Sequence, residues 1–176
     1  ESHPAHIRVL KRNADDSMGE VSTINVYDEE EYATISGIYL SDDTLSVLSS
    51  GYSYGIAADV AFDIWFPGPQ TFNLSLFDIE SPESSTKTAE FNVDGYVISS
   101  RRVDNNLIIV SSFNPNLDGL KLDYLAQTDE AKAANFAKIK DADVNSLLPS
   151  YTDKDGVEHN LVTADNCFIP EDATNK

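Results

Sequence analysis

Three acidic or amide side chains in the last third of the chain have types and spacing that could bind a metal ion. Asp141, Asp143 and Asn145 occupy alternate positions, as the oxygen ligands of a calcium loop do. The pattern then fails, because Ser146 stands where the loop needs Gly and Thr152 stands where it needs Glu. Helix capping therefore explains these residues better, and calcium is kept only as the alternative cofactor.

Two adjacent arginines, Arg101 and Arg102, are unusual in a chain this acidic. We expect one of them to contact a strand edge or a carboxylate, because a guanidinium group offers five donors and no acceptor. A binding site for an anion, built from the same pair, is the alternative interpretation.

The segment from Gly51 to Gln70 is the best candidate for a surface that binds a partner. It is long for a connection between strands, and its aromatic side chains include Tyr52, Tyr54, Trp65 and Phe66. Exposed aromatic side chains on a loop often anchor protein binding. The alternative is that this loop folds back and covers a neighbouring sheet.

Covalent catalysis has little support in the sequence. Neither a GxSxG nucleophile elbow nor a glycine-rich phosphate loop is present. The single cysteine, Cys167, has no histidine nearby and is followed by Phe168 and Ile169, which is typical of a buried structural thiol. We therefore assign no catalytic residue.

The composition restricts the class of protein. The 176 residues include 30 acidic and 12 basic side chains, which gives a formal charge of −18. Phosphate backbones and anionic membrane surfaces would repel such a chain, so nucleic acid is not an expected partner. No run of about 18 apolar residues is present, so no membrane span is expected. The chain starts with neither an initiator Met nor a leader, which predicts a mature or excised piece of a protein.

Short alternating segments predict a mainly β chain. Glu20 to Tyr27 and Thr71 to Ile79 alternate apolar with polar residues, as half-buried strands do. Tight turns at Asp42-Asp43 and at Asp104 to Asn106 each join two further strands. In total we expect about eight antiparallel strands.

Two pairs of segments repeat along the chain. VSTINVYD (Val21 to Asp28) matches TFNLSLFD (Thr71 to Asp78) 50 residues later, and SDDTLSVLSS (Ser41 to Ser50) matches VDNNLIIVSS (Val103 to Ser112) 62 residues later. Such self-similarity is typical of stacked β units that cannot bury both faces alone. The apolar run Leu107 to Val110 lacks alternation, which predicts a strand that packs on both faces.

The last third of the chain predicts a small helical segment and an extended tail. Thr128 and the two acidic residues after it form an expected helix N-terminus. The helix carries a narrow apolar stripe that includes Phe136 and Ile139. Asp141 is expected to cap a second short helical turn, and a hairpin is expected from Tyr151 to Val162.

These segments resemble the secreted bacterial β-propeller family that is distantly related to WD40 repeats. The resemblance is carried by the strands that end in VYD and LFD, by DGYVISSRRVDNNLIIVSS, and by LLPSY and LVTADNCFIP, and it spans Glu20 to Pro170. It implies an exported protein, secreted or held in the cell envelope and often lipid-anchored, with a C-terminal propeller. The family has no agreed activity, so the resemblance supplies no catalytic residues.

About eight strands make two blades, whereas a closed ring needs at least four, so we expect an incomplete propeller. Residues 1–127 would hold the two partial or complete blades, and residues 128–176 would form a helical insertion and an extended tail packed on them. Open blade edges would pair with a partner protein or with another copy, or the insertion would cover them.

The expected function is that of a non-enzymatic interaction or scaffold module. The alternative is a hydrolase-like or calcium-dependent enzyme that uses acidic residues at the propeller centre.

Overall fold

A computed structural model describes residues 5–26, 33–51, 71–115 and 117–166 of the chain. These residues form ten β-strands and one α-helix. The strands are β1 (His6–Arg12), β2 (Met18–Asn25), β3 (Ala33–Ser41), β4 (Thr44–Gly51), β5 (Thr71–Asp78), β6 (Thr86–Asp94), β7 (Tyr96–Val103), β8 (Asn106–Ser112), β9 (Ser150–Asp153) and β10 (Glu158–Asn160). The helix, α1 (Asp129–Lys140), lies between β8 and β9 in the chain.

The centre of the fold is a six-stranded antiparallel sheet in the order β10-β9-β6-β5-β4-β3. Four of its strands, β3 to β6, form a meander in which each strand pairs with the next along the chain. This is the arrangement of a propeller blade. The predicted mainly β, antiparallel fold is confirmed, and the sheets of the described residues do not close into a barrel.

The central sheet has two apolar faces, because successive side chains of a strand point to opposite sides. We call face A the one whose buried residues are Leu45, Val47 and Phe77. We call face B the opposite one, whose buried residues are Leu48, Phe72 and Val93. A sheet that is apolar on both sides must be covered on both sides.

A two-stranded hairpin covers each face. On face A, Ile24 and Val26, at the end of hairpin β1–β2, pack against the buried residues of the sheet. On face B, Val97 of β7 and Ile109 of β8 do the same. The two hairpins and the central sheet therefore form three layers, which is the stacking that the sequence repeat predicts.

The structure confirms the repeat between hairpins β3–β4 and β7–β8. In both, the two-residue turn begins at an aspartate with positive φ, 49° at Asp42 and 53° at Asp104. In both, one extra residue bulges from the first strand, Ser36 in β3 and Ile98 in β7. Turn and bulge each recur after 62 residues, at the offset of the sequence match.

The hairpin predicted near the C-terminus is confirmed, and it extends the central sheet. β9 pairs with β6, and β10 pairs with β9, so the outer edge of the meander is covered. The backbone N and the Oγ of Ser150 both donate to Oδ2 of Asp94, at 2.8 and 2.9 Å. These two bonds fix the point at which β9 begins.

Helix α1 begins at the predicted N-cap. The hydroxyl of Thr128 accepts a hydrogen bond from the backbone N of Ala131 at 3.2 Å. The predicted apolar stripe does not pack against the sheet. Phe136 and Ile139 are exposed, and no residue of the helix is buried.

The predicted capping role of Asp141 is wrong by two residues. Asp141 ends α1, where its backbone N donates to carbonyl oxygens of the last turn. Asp143 caps the following 3-10 helix, because its carboxylate accepts from the backbone N of Asn145 at 3.0 Å. The reason is the length of α1. The helix extends to Lys140 and Asp141 is its C-cap, so the next helix begins after Asp143.

Candidate functional site

Hairpin β7–β8 leaves one of its faces uncovered in the part of the chain that the structure describes. We call this surface the open face, and its apolar members are Tyr96, Ile98, Ile108 and Val110. Ile98, Ile108 and Val110 expose 61%, 48% and 49% of their surfaces. The two-sided burial predicted for Leu107 to Val110 is therefore only half achieved by the described residues.

A second apolar patch lies on strand β3, at the margin of face A. Ile38 and Leu40 expose 50% and 51% of their surfaces. Their partners in register on β4, Val47 and Leu45, lie on the same face and are buried. Among the described residues, hairpin β1–β2 therefore covers face A over β4 and β5, and the second half of β3 stays exposed. We call Ile38 and Leu40 the β3 patch.

Both apolar surfaces could contribute substantially to binding. Each of their large aliphatic side chains is about half exposed, and burying that half contributes roughly 1 kcal/mol. Contiguous exposed apolar patches mark interaction sites. The two surfaces face opposite ways along the stack of layers, since the open face lies beyond face B and the β3 patch lies on face A.

A polar cavity of about 400 Å³ is the third candidate, and it lies where the end of β2 meets β5, β6 and β9 of the central sheet. Its lining includes Asn73 and Asn92, joined by a bond of 2.7 Å from Nδ2 of Asn92 to Oδ1 of Asn73. It also includes an ion pair of 2.9 Å between Lys87 and Glu90. These side chains bind one another, so their polar groups have hydrogen-bond partners without a ligand.

Asp153, also beside the cavity, is committed to the turn between β9 and β10. One carboxylate oxygen accepts from Nε2 of His159 at 2.8 Å, and the other accepts from the backbone N of Asp155 and of Val157. These hydrogen bonds, that from His159 foremost, lower the pKa of Asp153. A general acid in a hydrolase needs a raised pKa, and the pKa of Asp153 is shifted in the opposite direction by the bonds that hold this turn.

A model of a protein family matches almost the whole chain. The model is described as Beta propeller domain, and it aligns with residues 2–176. The chain belongs to the beta propeller domain family. Neither the curated proteins nor the solved structures contain a match. In this propeller domain, β3 to β6 have the four-stranded meander of one complete blade, and a two-stranded hairpin packs on each of its faces.

Four of the predicted binding residues of the propeller domain lie outside the described residues. These are Tyr52, Tyr54, Trp65 and Phe66. Cys167 lies outside them as well. The contact role of the loop that carries the four aromatic residues stays a prediction.

Arg102 joins the two neighbouring repeats of the propeller domain. Its Nε donates to the carbonyl oxygen of Asp104 at 2.6 Å, and its Nη1 donates to the carbonyl oxygen of Leu40. Leu40 belongs to β3, the last strand of the central sheet, so Arg102 satisfies an acceptor on a neighbouring strand edge. Arg101 is exposed on the open face, and the binding role of both arginines stays a prediction.

The predicted calcium ligands are engaged in local hydrogen bonds. Besides the cap at Asp143, Oδ1 of Asn145 accepts from the backbone N of Ala164 at 3.2 Å. Across the described ranges, no group of three or more His, Cys, Asp or Glu side chains could hold a metal ion. In the same ranges, no helix is long and apolar enough to cross a membrane.

Sequence reasoning missed both apolar surfaces, although the repeat contains a signal for one of them. Ser36 and Ser46 of the first copy correspond to Ile98 and Ile108 of the second, 62 residues later. Serine residues of the first copy are thus replaced by isoleucine residues on the open face of the second. The β3 patch has no such signal, because it depends on how far hairpin β1–β2 reaches across face A.

Proposed function

We propose that this propeller domain is a non-enzymatic interaction module, a scaffold that binds protein through the faces and edges of its sheets. The half-exposed aliphatic row on the open face supports this function most directly. The enzymatic alternative is not favoured. The carboxylates beside the polar cavity, on Glu90 and Asp153, are bonded to Lys87 and to His159.

The proposal also covers the cellular location of the protein and the division of the chain into domains. Its resemblance to secreted bacterial propellers related to WD40 repeats supports an exported protein, secreted or lipid-anchored in the cell envelope. We also propose the division into blades over residues 1–127 and a helical insertion with a tail over residues 128–176. Fractionation of the cells that express the protein tests the location, since an exported protein leaves the cytosol.

Site-specific photo-crosslinking tests the binding function. A photoreactive amino acid replaces Ile108 on the open face, and in a matched variant it replaces Phe136, an exposed residue of α1. We expect covalent adducts with protein at position 108 and few or none at position 136. Equal labelling of the two positions would count against a binding role of the open face.

A further inference from the structure

Hairpin β9–β10 is an addition to the complete blade. β3 to β6 already form a four-stranded meander, which is the usual size of a blade. β9 follows helix α1 in the chain, and the hairpin adds a fifth and a sixth strand at the edge of β6. An edge strand presents backbone groups on which a further strand can form. The hairpin therefore shows, within the chain, what the edge of β6 accepts.

The hairpin is tied together more extensively than it is tied to the sheet. Each residue of β5 faces a residue of β6, whereas β9 faces β6 only over residues 91–93. Inside the hairpin, the backbone N of Leu161 donates to the carbonyl oxygen of Pro149 at 3.0 Å. The carboxylate of Asp153 accepts from His159 and from two backbone N atoms of the turn. The hairpin can therefore leave the edge as a unit, in a local opening that keeps the meander intact.

Two side chains of β9 make its attachment specific. Ser150 donates both of its bonds, from the backbone N and from Oγ, to Asp94. Tyr151 packs against the buried residues of face B, and its ring meets that of Phe91 edge-on with the centroids 5.9 Å apart. Helix α1, which precedes the hairpin, has no buried residue. The edge of β6 thus fits a strand in which a hydroxyl residue at Asp94 is followed by an aromatic residue beside Phe91.

We propose that hairpin β9–β10 is a displaceable cover over a strand-binding site, and that the edge of β6 binds an extended segment of a partner protein in place of β9. This inference rests on the proposed binding function and names the partner chemistry, an extended polypeptide in which a hydroxyl residue precedes an aromatic one. Strand addition takes its affinity from backbone hydrogen bonds and its specificity from alternate side chains. A bound hairpin blocks the site, so its release sets the affinity for the partner strand.

A fluorescein-labelled peptide with the sequence of residues 149–160 tests the site. Ser150→Pro in the 176-residue chain removes both bonds to Asp94, because proline has neither an N–H nor a hydroxyl group. We expect this variant to bind the peptide at least about tenfold more tightly than the unmodified chain, since its own hairpin no longer competes for the edge. Fluorescence anisotropy measures both affinities, and circular dichroism checks that the sheet stays folded.

Two further variants control this comparison. Ser146→Ala removes a hydroxyl hydrogen bond of the 3-10 helix that Asp143 caps, outside the hairpin, and should bind the peptide as weakly as the unmodified chain. Tyr151→Ser removes the apolar contact of β9 with face B, so in the chain it should release the hairpin as Ser150→Pro does. It carries the test if Ser150→Pro loses the sheet. Placed in the peptide, Tyr151→Ser should weaken binding to the released chain.

Disulfide trapping tests where the peptide binds, in a chain with Ser150→Pro and Cys167→Ser. Asn92 faces Thr152 in register. Facing residues of an antiparallel pair have Cα atoms about 4.5–5.5 Å apart, within the range that a disulfide spans. Asn92→Cys should therefore trap a peptide that carries Thr152→Cys. Asn73→Cys should not, because Asn73 faces Asn92 from β5, one strand further away.

Three results would overturn the inference. They are equal affinities of the released and unmodified chains for the peptide, equal binding of the peptide that carries Tyr151→Ser, and equal trapping at positions 92 and 73. If the peptide binds none of the chains while position 108 still crosslinks to protein, the strand site is refuted and the binding function stands. If position 108 also labels no better than position 136, both are refuted.

Discussion

Hairpins β3–β4 and β7–β8 share a turn, a bulge and a register, yet their surroundings differ. The first lies in the complete blade, where hairpins cover both faces of the sheet over β4. The second is covered on one face only among the described residues. Local sequence therefore determines the backbone of each hairpin, while its neighbours in space determine which side chains are buried.

The contact between these two hairpins differs in chemistry from the surfaces left open. Across face B, the hydroxyl groups of Tyr39 and Ser100 lie 2.6 Å apart, and Arg102 donates to the carbonyl oxygen of Leu40. On the open face and the β3 patch the side chains are aliphatic instead. Hydrogen bonds thus add to the apolar packing of Leu48 against Val97 and Ile109 at this contact, whereas the open surfaces are mainly apolar.

The largest expected effect is a loss of stability when a buried residue of the repeat is truncated, compared with its exposed equivalent. Leu48 is fully buried on face B, and Leu48→Ala should lower the free energy of unfolding by about 2–5 kcal/mol. Val110, its equivalent 62 residues later, is half exposed, so Val110→Ala should cost less than about 1 kcal/mol in dilute, monomeric protein. Urea unfolding measures both, and equal losses would show that the open face is covered after all.

The second effect concerns the bend by which the chain leaves the complete blade and enters hairpin β7–β8. Gly95 has a φ of 104°, and a Cβ there would lie 2.4 Å from the carbonyl oxygen of Ser112. Gly95→Ala should therefore lower the free energy of unfolding by about 1–3 kcal/mol. Gly119→Ala, where a Cβ meets nothing within 4 Å, is the control and should change it little. Similar urea midpoints for the two variants would contradict this role of the bend.

A smaller effect is expected at the polar contact between the repeats. Tyr39→Phe removes the hydrogen bond to Ser100 and should cost about 1 kcal/mol. Tyr96→Phe, on the open face, is the matched control and should be nearly neutral. If chemical denaturation ranks the two variants in the reverse order, the contact does not hold the repeats together.

The smallest effect tests how the edge of the complete blade is covered. The pKa of Asp153 is lowered by its hydrogen bonds, so its contribution to stability is present at neutral pH and is lost as the pH falls below about 4. Melting temperatures should therefore fall less steeply toward acid in Asp153→Asn than in the unmodified protein, over about pH 2 to 5, where a carboxylate with a lowered pKa titrates. Asp155→Asn, an exposed neighbour, is the control. The pKa of Asp15 is also lowered, by Ser17, so part of the acid slope should persist in both variants.

The sequence was sufficient for features that are encoded locally. Alternation over Thr71 to Ile79 predicted β5, and the matching segments predicted the repeat, because strand and turn preferences depend on a few consecutive residues. The cap at Thr128 was also predicted correctly, since its hydrogen bond closes within three residues.

Features that depend on distant residues could not be predicted. The pairing of β9 with β6 joins segments separated by α1, and no local pattern specifies that partner. The apolar stripe with Phe136 and Ile139 was expected to pack, but a helical period says nothing about whether a surface lies opposite it. The candidate site was missed for the same reason, because exposure of Ile38 depends on the reach of another hairpin.

The two-residue turns at Asp42 and Asp104 have a consequence for how the chain folds. A turn this short brings its strands together at little cost in loop entropy, so each hairpin can form within microseconds of collapse. β9 must instead find β6 across a long stretch of chain, which is intrinsically slow. We expect the hairpins to acquire protection from hydrogen exchange first and β9–β10 last, so that the edge of β6 is transiently available to a neighbouring molecule during synthesis.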